Sequence, residues 1–275
     1  MLTSSPALAA EIAARLDLAR SAALEAGRLT LKYFQQANYE VERKSDASPV
    51  TIADRSAEQL LRERIAARFP RDGILGEEFG AANGASGFRW ILDPIDGTKS
   101  FIHGVPLYGT MVAVEHEERA VVGVVIMPAL NEGVFASAGQ GAWQFRGDSR
   151  PEPARVSTRS RLSEGLFVTS AIDTFAQRGA TGALEALQQA AGITRTWGDC
   201  YGYLLVATGR AEAMIDPVLN VWDAAAVQPI VEEAGGTFTD WQGKPTIHAG
   251  EAIATNGRVL EEVLAVTREC RSLSP

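Results

Sequence analysis

The chain has 275 residues, 46% of them hydrophobic and 22% charged, enough to bury a substantial core as one large domain or two moderate ones sharing an interface. A formal net charge of -8, with 26 scattered Lys and Arg, excludes a general nucleic-acid binder but leaves room for a small anion screened by a metal. Cys200 and Cys270 form no disulfide framework and no CxxC spacing, which points to a reducing, cytoplasmic compartment, and no run approaches the ~20 apolar residues of a membrane span.

Ser5-Pro6 supplies a cap and a first-turn proline, and Leu8, Ile12, Leu16, Leu24 and Leu31 recur at helical spacing, which predicts a helix to about Phe34. A short strand over Tyr39 to Glu42 precedes Lys44 to Thr51, a polar loop of the kind that covers a site. Thr51 to Asp54 has capping-box spacing and opens a second helix, so Asp54 by itself reads as a helix-start acid. Ile74 to Glu78 and Trp90 to Phe101 both run apolar residues into acids, and the small residues Ala81 to Gly87 between them read as a surface connection. Strands over Tyr108–Val114, Val121–Met127, Gly133–Ser137 and Ala142–Phe145 predict an antiparallel meander.

Arg146 to Arg161 is rich in Pro, Arg and Ser and divides the chain into an α+β half, 1–150, and an α/β half, 151–275. In the second half the expected order is a strand at Gly165–Ser170, a helix at Thr174–Ala191, a buried helix at Gly198–Thr208 and a strand at Ala211–Ile215. A helix from Trp222-Asp223 through Ala234 follows, stopped by Gly235-Gly236, then strands at Thr237–Thr239 and Ala252–Thr255. Asn256 caps a terminal helix.

Trp90-Ile91-Leu92-Asp93-Pro94-Ile95-Asp96-Gly97-Thr98 carries the chemistry. Asp-Pro and Asp-Gly are ordinary turn dipeptides, so these residues by themselves leave turn and metal site open. Buried carboxylates are costly without a cation, however, and Glu77, Asp93, Asp96 and Asp223 make an oxygen-only set suited to Mg2+, with the Ile95 carbonyl a further hard ligand. The dispersed His103, His116 and His248 argue against zinc. Gly97-Thr98 lets the main chain approach a phosphate. Two metals activating a water make phosphate ester hydrolysis the expected reaction, with no side chain set up as a covalent nucleophile.

Gly76-Glu77-Glu78, Trp90 to Phe101, Trp222-Asp223-x-Ala-Ala and Glu233-Ala234-Gly235-Gly236 together resemble the magnesium-dependent, lithium-sensitive inositol monophosphatase superfamily, over nearly the whole chain from Pro49-Val50-Thr51 to Asn256. The resemblance implies a layered αβαβα sandwich, a homodimer, two or three Mg2+ ions and a small phosphorylated substrate. It implies metal ligation by Glu77, Asp93, the Ile95 carbonyl, Asp96 and Asp223, a water oriented by Glu77 and Thr98, and phosphate on the Gly97 and Thr98 main chain. It also moves Asp54 from helix-start acid to support of a further metal or of the Thr98 hydroxyl.

Arg195-Thr196-Trp197-Gly198-Asp199-Cys200-Tyr201-Gly202-Tyr203 departs from the Gly-Ser-Ala-Ala type of inositol monophosphatases and looks like the histidinol-phosphate phosphatase branch. That substrate has an ammonium and an imidazole, which Asp199, Asp216 and Asn220 could bind, with Arg195 near the substrate. For Asp199 a helix N-cap is the alternative, for Arg195 a solvated arginine, and Trp197, Tyr201 and Tyr203 read as packing residues. An inositol-1-phosphate, sugar-phosphate or nucleotide phosphatase and a non-catalytic regulatory protein are the competing functions.

Overall fold

In the computed structural model, residues 5–36, 41–43 and 49–270 are described. Most of the predicted polar loop, Lys44 to Ser48, lies outside them, as do Tyr39 and Glu40. Helix α1 (Pro6–Leu31) starts where Ser5 Oγ accepts the Leu8 N–H. Strands β1 (Val41–Arg43) and β2 (Pro49–Thr51) pair antiparallel and lead into α2 (Ile52–Arg68). Asp54 closes the predicted capping box by accepting the Thr51 N–H at 2.7 Å, while the Thr51 hydroxyl accepts from Ala53 N at 3.1 Å.

The large sheet is assembled from β3 (Gly73–Gly76), β4 (Gly80–Ala82), β5 (Phe88–Asp96), β6 (Gly109–His116), β7 (Arg119–Met127), β8 (Glu132–Ser137), β9 (Ala142–Arg146) and β10 (Glu152–Pro153). Its order is β10-β9-β8-β7-β6-β5-β3-β4, antiparallel apart from the β3–β5 pair. The stretch read as a mere connection contains edge strand β4, because Ala81 and Ala82 pair back onto Leu75 and Ile74. Helix α3 (Thr98–Ile102) follows β5 directly.

The smaller sheet contains β11 (Leu166–Val168), β12 (Ile193–Arg195), β13 (Ala213–Asp216), β14 (Thr237–Thr239) and β15 (Ala252–Thr255) in the order β12-β11-β13-β15-β14. Edge strand β12, parallel to β11, was not expected from its three residues. The predicted helix over Thr174–Ala191 is two, α4 (Ile172–Gln177) and α5 (Thr181–Ala190). They divide at Gly179, whose φ of +73° is a left-handed cap, with Ala180 N bonded back to Phe175 O at 2.7 Å. Helix α6 (Asp199–Ala207) lies before β13.

The helix expected after Trp222 is also two, α7 (Val221–Ala225) and α8 (Val227–Glu233). Pro229 is the cause: it has no N–H for the Ala225 carbonyl, and its ring cannot coexist with a regular turn there. At the other end the Gly235-Gly236 stop is as predicted, with Gly235 at φ +93°. Asn256 does not cap the last helix directly; its Oδ1 accepts the Arg258 and Val259 N–H groups, and α9 (Leu260–Thr267) begins after that turn.

Strand alternation sorts these elements into five layers. On one face of the large sheet Trp90, Leu92, Val112, Val114, Val122 and Val124 bury against α1 and α2. On the other, Ile91, Met111, Ala113 and Val125 share a core with Leu204 and Leu205 of α6 and Ile230 and Val231 of α8, which also covers Met214 and Ala254 of the small sheet. The far face of that sheet, with Phe167, Ala213 and Ile215, packs on Phe175, Leu184, Leu187 and Val263. This is the αβαβα sandwich. Among the described residues, no helix is long and apolar enough to cross a membrane.

The α7–α8 break sits tightly on the large sheet, because a Cβ on Gly123 of β7 would lie 2.0 Å from the Ala226 carbonyl oxygen. Gly123→Ala is expected to push that joint off the sheet and to cost about 1–3 kcal/mol, as overpacking of a dense core does. Urea unfolding followed by circular dichroism measures it, and a midpoint equal to the parent's would contradict the close approach.

Candidate active site

The site is made by the way β5 ends. In a regular strand, residues three apart point to opposite faces, so Asp93 and Asp96 would be separated by the sheet. Asp93 pairs with Met111 and Asp96 with Gly109, three residues on β5 against two on β6. The extra residue is a β-bulge at Pro94-Ile95, where proline has no ladder hydrogen to lose and the Pro94 carbonyl accepts the Thr110 hydroxyl at 2.9 Å. The bulge restores parity and turns both aspartates to one face.

Three other elements converge there. Strand β3 runs parallel to β5 with Gly76 opposite Leu92, so Glu77 emerges beside Asp93, and its N–H donates to the Leu92 carbonyl at 3.2 Å. Helix α7 brings Asp223, whose carboxylate folds back to accept the Asn220 N–H at 2.7 Å. Carboxylate oxygens of Asp93, Asp96 and Asp223 all lie within 4.8 Å of one another. Helix α2 adds the buried Asp54, which feels the Glu77 charge.

The electrostatics of this group are those of acids short of positive charge. Burial, then the charges of Glu77, Asp96 and Asp223, hold the Asp93 carboxyl well above the ordinary range. Burial and the charges of Asp199 and Asp223 do the same to Asp96. Asp223 is pushed up to about 7 and Asp54 to about 6, burial being the largest cause for each. Asp93 Oδ1 and Asp54 Oδ1 are buried without a hydrogen-bond partner. Oxygen-only donors, crowded, buried and under-satisfied, fit a hard divalent cation.

The second half contributes from above. At the C-terminal ends of the parallel strands β11 and β13, Ser170 N donates to Asp216 Oδ1 at 3.2 Å and Ser170 Oγ accepts the Asp199 N–H at 2.8 Å. Asp199 opens α6 at a left-handed φ of +50°, and the next N–H, that of Cys200, donates to Asp96. A Cβ on Gly97, itself at φ +83°, would lie 3.0 Å from Asp199 Oδ2, so the Asp199 carboxylate and the Gly97 main chain are neighbours. Asp199 is pushed up to about 6 by burial and by Asp216, against the pull of Lys99.

Several predicted site residues have surroundings the sequence did not suggest. Asp216 is buried with both oxygens engaged, by Ser170 N and by the Tyr203 hydroxyl at 2.9 Å, so it braces the site and offers a ligand little. Tyr203 is therefore a hydrogen-bond donor as well as the packing residue it was read as. Trp197 is 43% exposed and is no packing residue. Arg195 is exposed on β12, bonded to the Thr194 carbonyl. The Thr98 hydroxyl donates to the Ile95 carbonyl at 3.1 Å, whereas the carboxylate of Asp54 meets Thr51. Ser170 was missed, since one serine after a short strand has no distinguishing pattern, and so was the Cys200 N–H, because main-chain donors leave no residue-type signal.

A sequence model of the inositol monophosphatase family matches residues 12–272. The chain belongs to the inositol monophosphatase family. Members of this family are metal-dependent, in keeping with the acid cluster. The chain is 45% identical over 240 residues to a histidinol-phosphatase of Chlorobaculum parvum, covering 87% of this chain and 91% of that one. It is 39% identical over 253 residues to a histidinol-phosphatase of Streptomyces coelicolor, covering 90% and 95%. The crystal structure of the extragenic suppressor protein SuhB from Bartonella henselae superposes with a TM-score of 0.85 at 29% identity, over 93% of this chain and 99% of that one.

Proposed function

We propose that this family member is a Mg2+-dependent phosphate monoester hydrolase that releases phosphate from L-histidinol phosphate, a step of histidine biosynthesis. The bulge that aligns Asp93 with Asp96 beside Asp223 is the observation that carries the reaction class. The likeness to two histidinol-phosphatases over most of the chain carries the substrate.

In this reading Glu77, Asp93, the Ile95 carbonyl, Asp96 and Asp223 would hold the Mg2+ ions, two or three in all, with Asp54 beside the third. Bound there, the metal supplies charge stabilisation of the phosphoryl oxygens and acidifies a water. Glu77 and Thr98 orient that water on the side of phosphorus opposite the ester oxygen, and Glu77 takes up its proton. The Gly97 and Thr98 N–H groups hold the phosphate, which Gly97 permits because no side chain stands in the way. As the P–O ester bond breaks, the leaving alkoxide takes a proton from solvent water and departs as the alcohol, and Glu77 returns its proton to solvent.

The 1–150 half thus supplies the phosphate groups and every metal ligand but Asp223, and the 151–275 half supplies Asp223 and the specificity. Asp199, next to Gly97, is placed to pair with an ammonium group near the phosphate. Asn220 at the exposed start of α7 is a second polar contact, and Asp216 holds the Ser170 turn rather than the substrate. The protein acts as a lithium-sensitive homodimer in the cytoplasm. An inositol-1-phosphate or related sugar or nucleotide phosphatase of the same family is the alternative, since the acid cluster serves all of them equally.

Phosphate release from histidinol phosphate, inositol 1-phosphate, fructose 1,6-bisphosphate and adenosine 3',5'-bisphosphate, with and without Mg2+, tests the substrate. Histidinol phosphate is expected to have the highest kcat/KM, by at least about tenfold, the worth of one well-placed ion pair. A higher value for any other ester would transfer the assignment to it.

A further inference from the structure

Glu58 lies one turn beyond Asp54 on α2 and is fully buried, at 0% exposure. A buried carboxylate is costly unless its lone pairs are filled. Here they are filled by main-chain N–H groups from one short segment: Glu78 N at 2.7 Å and Phe79 N at 3.2 Å, with Arg62 Nε at 2.7 Å completing the set. The segment is the turn from β3 to β4, which begins with Glu77. Gly76 makes the approach possible, because a Cβ there would stand 2.0 Å from Glu58 Oε1. Arg62 reaches further along the same turn to the Gly80 carbonyl.

The ends of the turn are tied by the β3–β4 ladder and by the Glu77 N–H on the Leu92 carbonyl. Between those ends the Glu58 carboxylate takes the Glu78 and Phe79 N–H groups, while Phe79 is 48% exposed and Gly80, Ala81 and Ala82 are exposed. Glu77 is flanked on one side by the residue that packs against the Glu58 carboxylate and on the other by the residue whose N–H that carboxylate holds. We propose that Glu58 is a positioning residue that sets the main chain on both sides of Glu77, and so its carboxylate, for metal binding. This rests on the reading of Glu77 as a metal ligand. A carboxylate suits the task because it receives two successive N–H groups and an arginine at once. Its side chain does not reach the reacting groups and has no part in the chemistry itself.

The test compares Glu58→Gln and Glu58→Ala with Ile65→Val, a core substitution elsewhere on α2, in the full-length metal-free protein. Mn2+ binding is titrated by the loss of the free-ion paramagnetic resonance signal, and amide hydrogen exchange is followed over Glu77 to Phe79. Both Glu58 variants are expected to bind Mn2+ roughly 10- to 100-fold more weakly, the usual effect of losing a group that orients a ligand. They are also expected to exchange faster at Glu78 and Phe79 and to recover most of their kcat at saturating metal. Ile65→Val is expected to lower Tm and leave Mn2+ affinity unchanged. Parent-like affinity in a folded Glu58 variant, equal weakening in Ile65→Val, or failure of both Glu58 variants to fold would overturn the proposal. Parallel titration of the parent and of Glu77→Gln identifies the other failure: no binding in the parent, or none lost in Glu77→Gln, removes the metal reading and this inference with it.

Discussion

Asp93→Asn is expected to reduce kcat/KM by at least about a thousandfold, equivalent to about 4 kcal/mol of barrier, while making the metal-free protein more stable. The two effects have one cause. Asp93 stands among Glu77, Asp96 and Asp223, and burial and like charge both oppose its ionisation. Asparagine is nearly isosteric and carries no charge, so without opening a cavity it spares the metal-free protein the ionisation that burial and like charge oppose at Asp93. A gain of about 1 kcal/mol corresponds to some 2–4 °C in Tm for a chain of this size. With Mg2+ the order reverses, since the parent gains stability from ligation that the variant lacks. Calorimetry with and without Mg2+, alongside phosphate release, measures both signs. A variant with parent-like turnover would remove Asp93 from the reaction, and one destabilised in the metal-free state would contradict the repulsion argument.

Metal-free protein is expected to lose stability as the pH rises from about 4 to about 8. Ordinary carboxylate pairs behave in the opposite way. Asp54 is held up to about 6, Asp199 to about 6 and Asp223 to about 7, with Asp93 and Asp96 raised as well. In the unfolded chain an aspartate releases its proton near 3.9. Between that value and the folded ones the native state binds more protons than the unfolded state, so stability falls with rising pH, and the contribution of Asp54, Asp199 and Asp223 is gone above about 7. A shift such as that of the buried Asp54 amounts to on the order of 3 kcal/mol. A divalent cation does at pH 8 what protons do at pH 5, because ligation requires the deprotonated acids. The Tm gained on adding Mg2+ is therefore expected to grow from little at pH 5 to many degrees at pH 8. Metal-free stability that increases over this range would show that the acids are not strained against one another.

The acids themselves were legible because carboxylates at the ends of apolar strands are expensive and have few uses. The layered fold was legible from the change of pattern along the chain, strands in a row before Arg146 and strands alternating with helices after it. What escaped was local punctuation inside strong patterns. Gly179 and Pro229 divide helices that hydrophobic spacing reads as continuous, and β12 and β4 are too short for any period to register. Glu58 escaped for a different reason. A glutamate four residues before an arginine on an amphipathic helix reads as a solvated pair, and its burial depends on the missing side chain of Gly76 on another element. Asp216 is held by Ser170 and Tyr203, partners that its own stretch of sequence does not reveal.

The sequence by itself determined which acids are present, in what order, and the family to which the chain belongs, because those depend on residue type and order. Convergence was decided only in three dimensions. Asp93 and Asp96 share a face because the pairing of β5 with β6 slips by one residue at Pro94-Ile95. Glu77 joins them because β3 runs parallel to β5, and Asp223 because α7 packs on β5 and β6. Asp96 is fixed by an N–H from α6, over a hundred positions away. Periodicity reports which face of an element is apolar. Which polar ends meet is settled by the long-range register that those apolar faces adopt when they pack.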